Sequence, residues 1–327
     1  VERPLVAVVG GDTLVAKELR EQLHNASPAP RVELISGTAD GSALLGAEED
    51  EAIVMVPLTA ENLEGAKVAF LVGSHTSSRR ALKVNPADGP VLIDLTSALE
   101  EQPEARLRGP SAEAAKRESS RIQIIANPAA IALTMVLSRL AKVSKITRTV
   151  AQVFEPASER GQPGLDELQK QTVAVLNFQK LKQDVFDAQL AFNLLARYGE
   201  EAAEPFDAIE ARMERHVASL LADYPGIPMP SLRLIQAPVF HGHSFSVWVE
   251  FEQNPGAKAI GKALTAAGVD VRLDDPPTNV GITGESGLSV GAITQDRNHA
   301  RACWIWMVAD NLRLTVENAL AVAKEFL

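Results

Sequence analysis

Short apolar runs at 5–9, 32–35, 53–56, 68–72 and 91–93 alternate with helical or loop-like stretches through the first third of the chain. Runs of this length, bounded by turn residues, read as buried strands. Strands alternating with helices predict a parallel, doubly wound α/β sheet. After Val9 the first run stops at Gly10-Gly11, and Asp12 or Thr13 is placed to cap a helix through His24. The run Ile122 to Ile125 ends at Asn127-Pro128, and an apolar helical pattern starts at once. Strand, tight turn and helix present a residue at a helix N-terminus, where backbone N–H groups favour a thiolate or an oxyanion. The residues at that place are Ala129 and Ala130.

The second half changes character. A strand is predicted over 147–154, followed by helical text, then a charged helical stretch from about Gln179 to Tyr224 broken near Pro205. Phe245, Val247, Val249 and Phe251 alternate with Ser246, Trp248 and Glu250, which is the period of a half-buried strand. Cys303, Ile305 and Met307 alternate in the same way before a closing helix.

The chain has 327 residues, 46% of them apolar, and a net charge of −10. That suits one two-domain protein or one large domain, and without a Lys/Arg cluster it argues against nucleic-acid binding. No apolar run approaches the ~18 residues of a membrane helix, and the start lacks a signal-peptide pattern, so the expected location is cytoplasmic. Cys303 is the single cysteine, which excludes an internal disulfide; in an apolar strand it reads as buried and inert. His241 and His243, two apart, would share a strand face, but no third metal ligand lies at a convincing spacing, and no metal is expected. Ser111 and Ser158 read as loop serines without a base.

Several stretches resemble the aspartate-semialdehyde dehydrogenase family. Arg121 to Met135 contains IIANPAAIA, where the family reads roughly IIANPNCST; EPASERGQPGLDEL resembles QAVSGAGxAGMDEL at Ser158, Gly161, Gly164, Asp166, Glu167 and Leu168. LRLIQAPVFHGHSFSVWVEFE resembles VRVPVFRGHSEAVNVEFE, and WIWMVADNLRLTVENALAVAKEFL resembles the family's closing segment. The likeness runs from Leu5 to Leu327. It implies a Rossmann-like NAD(P)-binding domain at 1–133, a dimerisation and catalytic-type α+β domain at 134–309, a helix at 310–327 returning to the first domain, and a homodimer.

The resemblance also assigns positions to the family's chemistry, and many are substituted. The nucleophilic cysteine falls at Ala130, the orienting glutamine at Glu155 and the substrate-carboxylate arginine at Gln236, while the base is retained as His243. The arginine of the family's RGHS is His241, and a substrate glutamate of the long helix corresponds to Glu214, with Val217 where a lysine is expected. Among cofactor positions, Gly10, Gly11, Asp12, Thr13, Leu14 and Val15 stand where the family writes GATGAVG, so Thr13 and Ala16 replace its second and third glycines. Ser36 opens a loop that lacks the arginine for an NADP 2′-phosphate and carries Asp40. Gly73 and Ser77 keep a Gly-x-x-x-Ser spacing, while Leu95 and Glu100 replace an asparagine and a phosphate-holding arginine.

An alanine methyl cannot form a thioester, and loss of arginine removes the fork that grips a carboxylate. The expectation is therefore a pseudoenzyme: a binding, regulatory or partner protein with an unknown small-molecule ligand and NAD(P) binding weakened or lost, any residual binding favouring NAD. The alternative is an NAD(P)-dependent oxidoreductase with a rebuilt pocket, acting on an aldehyde or acyl substrate in amino-acid biosynthesis.

Overall fold

The computed structural model describes residues 3–37, 44–48, 51–115, 117–285 and 287–327. The chain forms two compact units, one of residues 1–126 with 315–327 and the other of residues 127–314.

The first unit contains, in order, β1 (Leu5–Val9), α1 (Leu14–Asn25), β2 (Arg31–Ile35), β3 (Leu44–Glu48), β4 (Glu51–Met55), α2 (Ala60–Leu63), β5 (Ala66–Leu71), α3 (His75–Val84), β6 (Val91–Asp94), β7 (Ala105–Arg108) and β8 (Ile122–Ile125). Its main sheet runs β2-β1-β5-β6-β8-β7 with every pairing parallel, while β3 and β4 form a separate antiparallel pair. Both faces of the main sheet are covered, which is why its central strands are largely continuous apolar runs. Val6, Val8, Val68 and Phe70 point to one face, where Val316, Ala319, Val322 and Ala323 of the last helix pack. Ala7, Val9, Ala69 and Leu71 line the other. The sheet edge at β7 is tied down by buried Arg108, whose guanidinium meets Glu113 at 3.0 Å and Glu325 at 2.8 Å. The order of crossovers reverses between β1 and β5, and in such sheets the crevice beyond those strand ends is where ligands bind.

The second unit continues with α4 (Pro128–Leu140), β9 (Ile146–Glu155), a 3-10 turn (Ala157–Arg160), α5 (Gly161–Leu176), α6 (Phe206–Leu221), β10 (Ser231–Gln236), β11 (His243–Phe251), α7 (Ala257–Ala266), β12 (Asp270–Arg272), α8 (Asn279–Ile282), β13 (Leu288–Gln295), β14 (Ala302–Ala309) and the start of α9 (Asn311–Ala323). Its mixed sheet runs β10-β9-β11-β14-β13-β12. Phe245, Val247, Val249 and Phe251 are fully buried on β11, as their alternation predicts.

Three expectations need correction. β3 and β7 fall where no strand was predicted; β7 (ARLR) is a polar edge strand without an apolar run. Only 206–221 of the stretch 179–224 is helical. Between α5 and α6 the chain is irregular because α5 captures its backbone: Glu167 accepts from the N–H groups of Val185 (2.6 Å) and Phe186 (3.3 Å), and Gln171 from those of Leu190 (2.7 Å) and Ala191 (3.1 Å). Donors committed to side chains cannot build a helical ladder. Finally, His241 and His243 do not share a strand face, since β11 begins at His243 and Gly242, at φ +82°, turns the chain between them.

Candidate functional site

In the first unit the loop after β1 meets the loop after β5. Gly10 has φ +90°, and a Cβ there would stand 2.3 Å from the Cα of Gly73; one on Gly73 would stand 2.6 Å from Ser77 Oγ. The two glycines are therefore required for backbone-to-backbone approach. Thr13 caps α1: its Oγ1 accepts from Ala16 N (3.2 Å) and donates to Val72 O (2.8 Å). Ser74 caps α3 by accepting from Ser77 N (3.1 Å), and Ser77 Oγ donates to Ser74 O (2.8 Å). Asp12 is exposed, Gly11 buried, and Leu14 and Val15 half-buried, with Val15 packed on the core. Ser36 is buried, its N–H donating to Val56 O (2.8 Å). Asp40 lies outside the described residues.

In the second unit the sheet brings three of the four candidate catalytic positions to one end. Glu155 ends β9, Gln236 ends the parallel β10 in register with it, and His243 begins the antiparallel β11. All three are fully buried. Gln236 is consumed by its neighbours: Tyr198 donates its hydroxyl to Oε1 (2.5 Å), and Nε2 donates to Glu155 O (2.8 Å) and Ala237 O (3.3 Å). Glu155 Oε1 receives Arg160 Nη2 at 3.0 Å, whereas Oε2 has no partner among the described residues. Neither ring nitrogen of His243 has a partner among them either. Burial pushes the Glu155 carboxyl up to about 7 against the opposing pull of Arg160, and burial also pushes the His243 imidazole down.

Ala130 stands on the first turn of α4, fully buried, under Asn127, whose Oδ1 accepts from Ala129 N (2.8 Å) and Ala130 N (3.4 Å). The turn geometry expected there is present, and the side chain offers no polar atom. Glu214 is exposed on α6 and Val217 is buried in the core. Cys303 is buried on β14, its thiol donating to Asn254 Oδ1 (3.2 Å), and burial pushes its pKa up.

Residues that the motifs do not single out complete the cluster. Glu159 in the 3-10 turn accepts from Asn311 Nδ2 (2.8 Å), and Asn311 also bonds Ser158 Oγ. Arg160 pairs with Glu204 as well (3.0 Å), which in turn pairs with Arg212. The hint in the sequence is the carboxylate pair Glu155 and Glu159, four apart across a strand end. For Tyr198 and Asn311 it offers none.

Residues 137–314 match the family described as semialdehyde dehydrogenase, dimerisation domain. A USG-1 protein homolog of Pseudomonas aeruginosa is 30% identical over 322 residues, covering 96% of this chain and 94% of its own. The chain belongs to the semialdehyde dehydrogenase family. The structure of a probable aspartate-semialdehyde dehydrogenase from Pseudomonas aeruginosa superposes with a TM-score of 0.86 at 27% identity, over 99% of this chain and 98% of that one. An aspartate semialdehyde dehydrogenase with NADP from Candida albicans shares the fold at 15% identity, with a TM-score of 0.69 over 99% of this chain and 98% of that one. Within the family fold, both glycine-lined loops of the first unit and the polar sheet end of the second are present. No described helix is long and apolar enough to cross a membrane.

Proposed function

We propose that this member of the semialdehyde dehydrogenase family has lost the cysteine-dependent reaction and acts as a binding, regulatory or partner protein on a dimeric scaffold. The observation that carries the reading is Ala130 at the position the family resemblance gives to the nucleophile. Cys303, the one thiol in the chain, is buried in a strand and cannot stand in for it. Gln236 offers no cation to a substrate carboxylate, and its amide is already fully engaged by Tyr198, Glu155 and Ala237. The matched dimerisation segment supports a homodimer.

The relative from Candida albicans is described with NADP, so the turn of the first unit is the place to ask whether these residues fit a dinucleotide. They fit poorly. A helix N-terminus binds a phosphate through free N–H groups, and Thr13 Oγ1 already takes that of Ala16. Thr13 also places a side chain where close backbone approach to a pyrophosphate needs glycine. NAD(P) binding is accordingly weak, with NAD preferred.

The second reading, an oxidoreductase with a rebuilt pocket, is favoured by one observation, the buried and unpartnered atoms of Glu155 and His243. One assay tests the first reading. Purified protein supplied with aspartate semialdehyde, phosphate and NADP should form no NADPH, and Ala130→Cys should yield a thiol open to alkylation but no turnover. A removed nucleophile accounts for most of the rate, but the missing clamp remains missing in that variant. NADPH formation by the wild-type protein, abolished in His243→Ala, would overturn the proposal. Turnover by Ala130→Cys alone would show that the pocket is intact but for one side chain.

A further inference from the structure

The structure assigns a divalent transition-metal site to Glu155, Glu159 and His243, at the end of the second unit's sheet. One ligand atom from each of the three lies within 4.8 Å of the others. Donors bound to zinc at about 2.0–2.2 Å stand ~3.3 Å apart in a tetrahedron, so modest side-chain rotation closes the three on one ion. His243 alone shows no third ligand in the sequence; the fold supplies two carboxylates, one ending β9 and one from the turn that follows it.

The free valences are the independent observation. His243 is fully buried, with neither ring nitrogen bonded, and Glu155 is fully buried with Oε2 unbonded, among the described residues. A buried polar atom without a partner costs about 1–3 kcal/mol, so Glu155 Oε2 and one ring nitrogen of His243, the two that can serve a common ligand, call for a group that satisfies them. The charges favour a cation over an anion. Two carboxylates repel an anion, and burial disfavours the charged form of His243, leaving a neutral imidazole with a lone pair. Two carboxylate oxygens and one imidazole suit zinc, manganese or ferrous iron rather than magnesium or calcium, which take oxygen donors.

The surroundings are those of an oriented ligand set. Arg160 holds Glu155 Oε1 at 3.0 Å and leaves Oε2 unbonded among the described residues. Arg160 is itself shared with Glu204 at 3.0 Å, which offsets part of its charge. Asn311 holds Glu159 Oε1 at 2.8 Å. The turn bearing Glu159 is pinned where Ala157 N and Ser158 N donate to Val239 O (2.8 Å) and Phe240 O (3.0 Å). Partners that fix a ligand's second atom in this way set its direction and raise metal affinity. Three protein ligands leave at least one position open to water or a small molecule. The assignment does not depend on whether the family reaction is lost.

The test uses the full, untagged chain stripped with chelator and titrated calorimetrically with Zn²⁺, Mn²⁺ and Mg²⁺. Zn²⁺ or Mn²⁺ should bind one ion per chain at micromolar affinity or tighter, and Mg²⁺ at least tenfold more weakly. His243→Phe and Glu155→Gln should each weaken binding roughly 100-fold or more, and Asn311→Ala about tenfold. His243→Phe keeps a planar ring at the site but is somewhat larger, so its circular dichroism serves as the folding control. Cobalt substitution should give visible d–d bands in the wild type that vanish in His243→Phe. No binding of Zn²⁺ or Mn²⁺ below about 100 μM would overturn the assignment. Binding that persists unchanged in both variants, or a crystal structure of zinc-soaked protein with only water bridging the three residues, would overturn it too.

Discussion

The glycine turn of the first unit and the polar sheet end of the second both carry residues that differ from the family motifs they resemble, and the two regions satisfy their polar groups in opposite ways. In the turn, the structure closes on itself. Thr13 took over the N–H of Ala16 and the carbonyl of Val72, and Gly10 and Gly73 pack backbone on backbone. At the sheet end, Gln236 followed the same course, with every polar atom engaged inside the protein. Glu155 and His243 did not, keeping buried atoms without partners. A site drifting without use tends toward the first condition, because each satisfied group recovers stability. Orphaned buried groups are costly, and their persistence indicates that something outside the polypeptide satisfies them. The comparison therefore makes the sheet end of the second unit the place to test for a ligand.

The largest effect should come from breaking the closed turn. In Gly10→Ala a Cβ would meet Gly73 backbone at 2.3 Å, at a φ of +90° that already disfavours L-residues. Backbone strain and overpacking together amount to ~3 kcal/mol, expected as a reduced denaturation midpoint of the first unit. A loss below ~1 kcal/mol would mean that the two loops separate easily, and the turn would not be the closed element described.

The sheet end can be sharpened through pH. Glu155 has an ordinary carboxyl value of 4.5 that burial raises to about 7 in the folded state. A raised folded pKa means that its contribution to stability is complete below about 4.5 and is lost as pH rises through about 7. In chelator-treated protein, stability relative to Glu155→Gln should therefore fall by ~1–3 kcal/mol between pH 4.5 and 8, the variant lacking this titration. Parallel stability curves for the two proteins would show that Arg160 keeps Glu155 ionised throughout, and that the carboxylate is no orphan.

How much of this was legible follows from how local each cause is. The apolar runs at 5–9 and 122–125, the break at Asn127-Pro128 and the alternation along β11 are set by neighbouring residues, and they lie in the fold where the sequence places them. The segment between α5 and α6 is different: its conformation depends on Glu167 and Gln171 reaching 18 to 20 residues forward, and a charged stretch read in isolation resembles a helix. The site divides along the same line. Glu155, Gln236 and His243 stand out through motif resemblance, and strand pairing joins them. Asn311 reaches Glu159 across 152 residues, and Tyr198 reaches Gln236 from an irregular segment, so neither leaves a signal of spacing.

The smallest expected change in stability tests the closed turn most directly. Thr13→Gly removes a helix cap, but glycine is itself tolerated at such a position, so the loss should be only about 0.5 kcal/mol. Its effect on ligand binding should be larger. The variant frees the Ala16 N–H and removes the side chain from the place of the family's second glycine, while the packing of Gly10 on Gly73 is untouched. One hydrogen bond to a charged phosphate is worth about 1.5 kcal/mol, which corresponds to roughly a tenfold gain in affinity for NAD or NADP by calorimetry. Starting from millimolar binding, such a gain brings the dinucleotide only to about the 0.1 mM range, because Ala16 still occupies the place of the third glycine. If Thr13→Gly binds no better than the wild type, Thr13 is not what shuts the turn. Micromolar NADP binding to the unmodified protein would remove the contrast between the two regions altogether, since the first unit would then hold its ligand with the cap in place.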